Sequence, residues 1–251
     1  MACSVTPIAI NSNYTWAIHN STHCIIVDPA KASPVLNFLK QHNLTLTAIL
    51  ITHHHHDHTA GLTQLHTYTD TIYGPNNSNI SHLTHTLNHQ DQLTLNHHTY
   101  NIIETPGHTL DHISYYTTNR LFCGDVLFSG GCGRIFEGSP KQAFDSIQAC
   151  LRLPNTTNIY CGHEYTLDNL TFALTIDPNN PHLNQYYQTV KTLRQSNQPT
   201  LPSTIELEKT INPFCRCDQA VIQDSVKQKT GITPQSDLET FTLLRQLKDT
   251  F

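Results

Sequence analysis

Apolar and polar positions follow two regimes along the chain. In the first, short apolar runs alternate with helix-period stretches. "NYTWAIHNSTHCIIVDP" alternates, turns at His19-Asn20-Ser21-Thr22 and resumes as an apolar run, the pattern of a β-hairpin. "ASPVLNFLKQHN" predicts a helix, with Ser33 as N-cap and Pro34 at the first helical position. "LTLTAILIT" predicts a buried strand, and "AGLTQLHTY" a short helix just after a run of histidines. Three more strands are expected in "TYNIIETPGH", "RLFCGD" and "NIYCGH". Between the last two, "SPKQAFDSIQACLRL" predicts a helix opened by Ser139 and Pro140. Alternating strands and helices imply an α/β layered fold.

The second regime starts near Asp168. "LDNLTFALTID", "NPHLNQYYQTVKTLRQ", "STIELEKTIN" and "PQSDLETFTLLRQL" all have 3.6-type spacing, and Asn180 with Pro181 opens one of these helices. No further strand is expected. The division this predicts is a domain over 1–167 and a small all-helical domain over 168–251.

Composition narrows the function classes. The net charge is −5 with histidine neutral, and no basic run occurs, which argues against nucleic acid and against an anionic membrane surface. No apolar stretch approaches the roughly 20 residues of a membrane span. "MACSVTPIAI" has no basic stretch leading into an apolar one, so no secretory signal is expected. The eight cysteines show no C-x-x-C spacing and read as reduced and structural, in a cytoplasmic protein. The anomaly is 18 histidines against 14 Lys+Arg. His19, His23, His42, His66, His82, His85, His89, His97 and His98 lie in polar company without shared pattern and read as surface residues.

The other histidines are ordered. Four apolar strands end in metal-type side chains: the cluster in "LITHHHHDHTAGL", then His108, Asp125 and His163. Layered α/β folds bind ligands in loops past the strand ends. Four such endings point to a metal site assembled from distant parts of the chain. In extended chain, His53, His55 and Asp57 share one face and His54, His56 and His58 the other. Periodicity does not choose between them. Charge compensation favours the first set plus His58, because it brings a carboxylate.

"THHHHDHTAG" fits the T-H-x-H-x-D-H signature of the metallo-β-lactamase superfamily, and the fit continues through "TPGHT", "FCGD" and "CGHEYT". More closely, "NYTWAI", "FCGDVLFSGGCGRIFEG", "CGHEYTLDNLTFA" and "NPFCR" resemble the hydroxyacylglutathione hydrolase (glyoxalase II) family over nearly the whole chain. The resemblance implies an αββα sandwich followed by the helical domain. It implies two divalent ions: His53, His55 and His108 at the first, Asp57, His58 and His163 at the second, Asp125 bridging both. His54 and His56 are the signature's variable positions. Zinc suits an imidazole and carboxylate set, as do iron and manganese. The implied reaction is cleavage of the thioester S-D-lactoylglutathione to D-lactate and glutathione, with Asp57 and Asp125 catalytic beside a hydroxide bridging the ions. The glutathione end is expected to meet Arg134, the position of Phe136, Tyr165 and Arg216. Phe136 stands where many relatives carry tyrosine, and a second cation shortly after Arg216 is not evident. A monomer acting on a small molecule is expected.

Competing readings are weaker. A metal-buffering histidine tract leaves His108, Asp125 and His163 unexplained. A mononuclear-iron persulfide dioxygenase of the same superfamily would normally lack so long a helical part. A β-lactam hydrolase leaves "CGHEYT" and "NPFCR" without a role, and a non-catalytic metal-binding protein is disfavoured by four separated ligand groups. His112 reads as structural or as a support for a ligand. Cys123, Cys132 and Cys161 read as small apolar residues. Asp28 is either an acceptor for a ligand imidazole or a turn residue. "GGCG" reads as a tight turn that lets backbone approach the site.

Overall fold

A computed structural model describes residues 3–251. Strands β1 (Ser4–Ile10), β2 (Asn13–His19), β3 (His23–Val27), β4 (Thr45–Leu50), β5 (Ile72–Pro75) and β6 (His85–Leu87) form one sheet in that order. The first three are antiparallel and the rest join in parallel. The second sheet contains β7 (Gln92–Leu95), β8 (His98–Glu104), β9 (Ile113–Thr117), β10 (Arg120–Gly124), β13 (Asn158–Cys161) and β14 (Ser203–Thr204). Its order is β14-β13-β10-β9-β8-β7. A ribbon of β11 (Leu127–Phe128) and β12 (Gly131–Cys132) follows β10.

Strand alternation builds the layers. Trp16, Ile18, Ile25, Val27, Ala48 and Leu50 enter the core between the two sheets. Their neighbours Ala17, Cys24, Ile26, Ile49 and Ile51 face the opposite way, toward helix α1 (Ala32–Gln41) with Val35, Phe38 and Leu39. Between β4 and β5 lie two one-turn helices, α2 (His56–Thr59) and α3 (Leu62–Leu65). Helix α4 (Pro140–Leu151) brings Ala143, Ile147, Cys150 and Leu151 to the second sheet's side of the core. The result is an α/β/β/α sandwich. Burying a side chain the size of Ile or Phe in it contributes about 1.5–3 kcal/mol each. Among the described residues no helix is long and apolar enough to cross a membrane.

Beyond β13 the helices are α5 (Thr166–Ile176), α6 (Pro181–Gln195), α7 (Ile205–Ile211), α8 (Ala220–Thr230) and α9 (Asp237–Asp249). They are fastened to the β11–β12 turn. The buried Glu208 carboxylate accepts the Gly130 N–H at 2.8 Å, and Asn212 Nδ2 donates to the Gly131 carbonyl at 2.9 Å.

Helix starts follow the local signals with one exception. Ser139 and Gln142 form a reciprocal capping box with Pro140 in the first turn, and Asn180 caps α6 through the His182 and Leu183 amides. The expected start of α1 is corrected: it begins at Ala32, after an uncapped Lys31. Pro34 is then the third helical residue, which is tolerated because first-turn N–H groups lack intrahelical partners anyway. The expectation of no strand after residue 168 is also corrected. Ser203–Thr204 pairs with β13, too short to carry a period of its own. Helix α8 was not expected either, since it buries only Ile222 and Val226; the signal available was Gly231, its left-handed C-cap at φ 75°.

Candidate metal centre

Each donor sits just past a strand, where the extended chain leaves the sheet. β4 leads to His53, β8 to His108, β10 to Asp125 and β13 to His163. One of these strands belongs to the first sheet and three to the second. The sheets are stitched beside the site: Tyr14 N–H donates to the Gly162 carbonyl at 2.7 Å, and Trp16 Nε1 to the Cys161 carbonyl at 2.9 Å.

The histidine run changes conformation midway. His53 to His55 is extended, so His53 and His55 share a face and His54 points away. At His56 a helical turn begins and the period-2 rule lapses. The turn brings the adjacent residues Asp57, half-exposed, and His58, buried, to the same donor set and leaves His56 exposed outside it.

Three overlapping donor sets result: His53, His55 and His108; His53, His58 and Asp125; Asp57, His58 and His163. In each set one ligand-type atom per residue lies within 4.8 Å of the others. Asp125 spans them, with Oδ1 3.5 Å from His58 Nε2 and Oδ2 3.1 Å from His163 Nε2 and 3.4 Å from His108 Nε2. His53 Nε2, His58 Nε2 and Asp125 Oδ1 are buried without a hydrogen-bond partner. Buried polar atoms are almost always satisfied, so three converging orphans mark a place for a cation. The donors are nitrogen and oxygen only, a set that fits a divalent metal.

Supporting contacts aim the rings. Asp28 Oδ1 accepts the Thr52 N–H at 2.8 Å, and Oδ2 accepts from Thr52 Oγ1 at 2.7 Å and from His58 Nδ1 at 3.0 Å. Asp28 has φ 50°, so it is both a turn residue and the acceptor that points His58 Nε2 into the cluster. His108 Nδ1 donates to the Arg134 carbonyl at 2.7 Å, which leaves Nε2 facing the site. Burial would raise the Asp125 carboxyl, but the His58 and His163 imidazoles beside it hold it well below the usual carboxylate range. For His53, burial pushes the imidazole well below its ordinary value.

His112 stands behind the cluster. Its Nε2 accepts the Asp125 N–H at 3.2 Å, its Nδ1 meets Thr105 Oγ1 at 2.9 Å, and its ring stacks on His53. Both nitrogens are engaged, and burial pushes it down to about 3. Burial raises the Cys123, Cys132 and Cys161 thiols, and none of them joins a donor set among the described residues.

A cavity of about 430 Å³ opens over the cluster, lined by His55, Asp57, His108, Asp125, Phe128, Arg134, Phe136, His163 and Tyr165. Tyr165 stacks face to face on His163 at 4.6 Å. Phe136 is 60% exposed and sets its ring edge-on to His55 and His108, with the Arg134 guanidinium 5.8 Å from its centroid.

Arg216 does not reach this cavity, contrary to expectation. Its Nη1 pairs with Asp177 Oδ2 at 2.6 Å, and its Nε and Nη2 bond Gln219 Oε1. The guanidinium is buried and consumed inside the helical part. The C-terminal element that does approach Arg134 is α9: Asp249 Oδ1 lies 3.5 Å from Arg134 Nε and 3.0 Å from Arg245 Nη2. Arg245 is itself buried and donates to the Cys132 carbonyl at 3.0 Å, and Lys248 lies over the Phe172 and Phe251 rings, so neither lines the cavity.

Comparison with known proteins agrees with this architecture. Residues 9–163 match the model of the metallo-β-lactamase superfamily, and residues 164–251 match that of the hydroxyacylglutathione hydrolase C-terminus. The chain is 48% identical over 246 residues to a hydroxyacylglutathione hydrolase of Photobacterium profundum, covering 97% of each chain. It is 46% identical over 255 residues to one of Shewanella baltica, again covering 97% of each. Among solved structures, ETHE1 from Myxococcus xanthus superposes with TM-score 0.66 at 24% identity, over 99% of this chain and 100% of that one. At that identity the likeness speaks for the fold alone. The two family models between them cover nearly the whole chain, and the relatives align over 97% of it: the chain belongs to the hydroxyacylglutathione hydrolase family of the metallo-β-lactamase superfamily.

Proposed function

We propose that the protein hydrolyses the thioester bond of S-D-lactoylglutathione, releasing D-lactate and glutathione, at a centre for two divalent metal ions. The observation that carries this reading is the convergence of seven nitrogen and oxygen donors from four strand ends, five of them lining one cavity. His53, His55 and His108 would hold one ion, and Asp57, His58 and His163 the other. The Asp125 carboxylate reaches both groups and would be shared. The nitrogen and oxygen donor set supports zinc, with iron or manganese as the other occupants. Divalent ions held there would supply Lewis acidity, lowering the pKa of water toward neutrality and polarising a thioester carbonyl.

The chain's own residues do the rest. Asp57 and Asp125 offset part of the metal charge while leaving the site cationic, and Asp28 and the Arg134 carbonyl fix the imidazoles in place. Phe128 and Phe136 give the cavity apolar walls, and Tyr165 presents a hydroxyl beside His163. Arg134, 59% exposed, is the cation available to a glutathione carboxylate. On α9, Asp249 lies 3.5 Å from Arg134 Nε and is shared with the buried Arg245. In this reading residues 1–167 carry the chemistry, and residues 168–251 carry α9, whose Asp249 pairs with Arg134. The eight cysteines are all free thiols, which supports a reducing compartment such as the cytoplasm.

Elemental analysis of fully loaded protein should give about two ions per chain, the count of a two-metal site. The same preparation should release glutathione from S-D-lactoylglutathione. A stable content of one ion with full activity would overturn the dinuclear centre. Oxygen uptake with glutathione persulfide, in place of thioester cleavage, would favour the dioxygenase reading, which the match of residues 164–251 disfavours.

A further inference from the structure

His54 lies between two metal-facing neighbours yet turns away from the cluster. Its Nδ1 is 3.0 Å from Asp111 Oδ1, and its Nε2 is 3.2 Å from Glu137 Oε1. Both partners are themselves anchored. Asp111 is buried and accepts from Thr109 Oγ1 at 2.6 Å, and Glu137 Oε2 accepts the Leu110 N–H at 2.9 Å. One imidazole therefore joins three segments: the histidine loop, the 109–111 turn and the 134–138 turn.

The third segment matters for the substrate. It carries Arg134 and Phe136, which line the cavity. On one side its backbone is tied to the 107–108 loop, through Phe136 N–H to the His108 carbonyl at 3.2 Å and Gly138 N–H to the Gly107 carbonyl at 3.1 Å. Toward the histidine loop, its one polar tie among the described residues is the His54–Glu137 contact. Without it the turn keeps a hinge on one edge and loses its stay on the other.

We propose that His54 is a positioning residue: through Glu137 and Asp111 it holds the Arg134–Phe136 turn at a fixed distance from the metal loop, and so sets affinity for the part of the substrate remote from the thioester. This rests on the glutathione thioester reading above. His54 belongs to no donor set and does not line the cavity, and its ring meets the His55 ring edge-on at 5.1 Å, so metal content is measured beside KM. Side-chain exposures of 38% for His54 and 36% for Glu137 place the contact at the water boundary, where it fixes geometry more than it adds stability.

The test uses His54→Ala, Glu137→Ala and the double variant in the metal-loaded full chain. Each single variant should raise KM for S-D-lactoylglutathione about two- to fivefold, the range for one partly exposed polar contact, with kcat within about twofold. Metal content should stay at the parent value. The double variant should fall short of the product of the two single effects, because the His54–Glu137 contact that both remove is lost only once. Backbone hydrogen exchange should rise at residues 134–138 in all three, a readout that needs no substrate. Unchanged exchange in folded, metal-loaded variants would overturn the clamp, as would additive KM effects or a fall in kcat at constant KM. If the parent itself does not cleave the glutathione thioester, the functional reading fails, and exchange at 134–138 still decides whether the clamp exists.

Discussion

Asp125 carries more than one role in a single side chain. Its carboxylate lies between the His58, His108 and His163 rings, and its own N–H is held by His112. Asp125→Ala should therefore remove metal and turnover together, and more completely than loss of any one terminal imidazole; elemental analysis alongside the hydrolysis rate would reveal retention of two ions, which would end the shared-ligand role. Asp28→Ala acts one step back. It frees His58 and Thr52 without deleting a donor, so metal affinity should fall by about 10–100-fold, the usual cost of losing such a support. A metal titration with unchanged affinity would show that His58 is oriented by packing alone. The two arginines expected to share a task should separate. Arg134→Ala should raise KM about tenfold with little change in kcat, as for a contact equal in ground and transition states. Arg216→Ala leaves Asp177 buried without its partner and should cost about 3 kcal/mol of stability in denaturant unfolding, with KM unmoved. A KM effect from Arg216 would contradict its burial.

At the scale of elements, the site depends on close backbone approach. A Cβ on Gly133 would strike the Asp125 carbonyl oxygen and come within 3.3 Å of His108 Nδ1. Gly133, just after β12, thus lets one turn lie directly on the strand end that carries Asp125, in keeping with the reading of "GGCG" as a tight turn. Gly133→Ala should shift the Asp125 backbone and lower metal content while the far-ultraviolet dichroism stays near the parent's. Full metal occupancy in that variant would mean the turn can yield without moving its neighbour. The histidine run makes the same point from the other direction. Its first half is strand-like and its second half helical, and only that change of period lets His53, His55, Asp57 and His58 converge.

For the molecule as a whole, the centre is a fastening between two sheets. His53 and His58 follow a strand of one sheet, and His108, Asp125 and His163 follow strands of the other. Ions bound there should stabilise the fold by mass action, about 2.7 kcal/mol for each ion at a hundred times its dissociation constant. Calorimetry should accordingly show a lower Tm after exhaustive chelation, restored when Zn²⁺ is added back. A Tm indifferent to chelator would mean that the metal loops are not coupled to the sandwich.

The sequence by itself determined what is local. Strand alternation, the Ser139 and Asn180 caps and the positions of the metal-type side chains at strand ends all follow from residue type and short-range spacing. So did the family, because its motifs are long and ordered. Tertiary structure alone decided the rest. Alternation could not say which histidines face inward, since the chain leaves the extended state at His56 and the period changes with it. Residue type could not separate Arg134 from Arg216, because a guanidinium looks the same in sequence whether it lines a cavity or is spent on Asp177. Nor could it decide between the two readings of Asp28, 30 residues from His58, or find the tie from His54 to Glu137 across three loops. Those contacts exist only once the two sheets have packed, and their partners are chosen by distance in space, which no short-range pattern encodes.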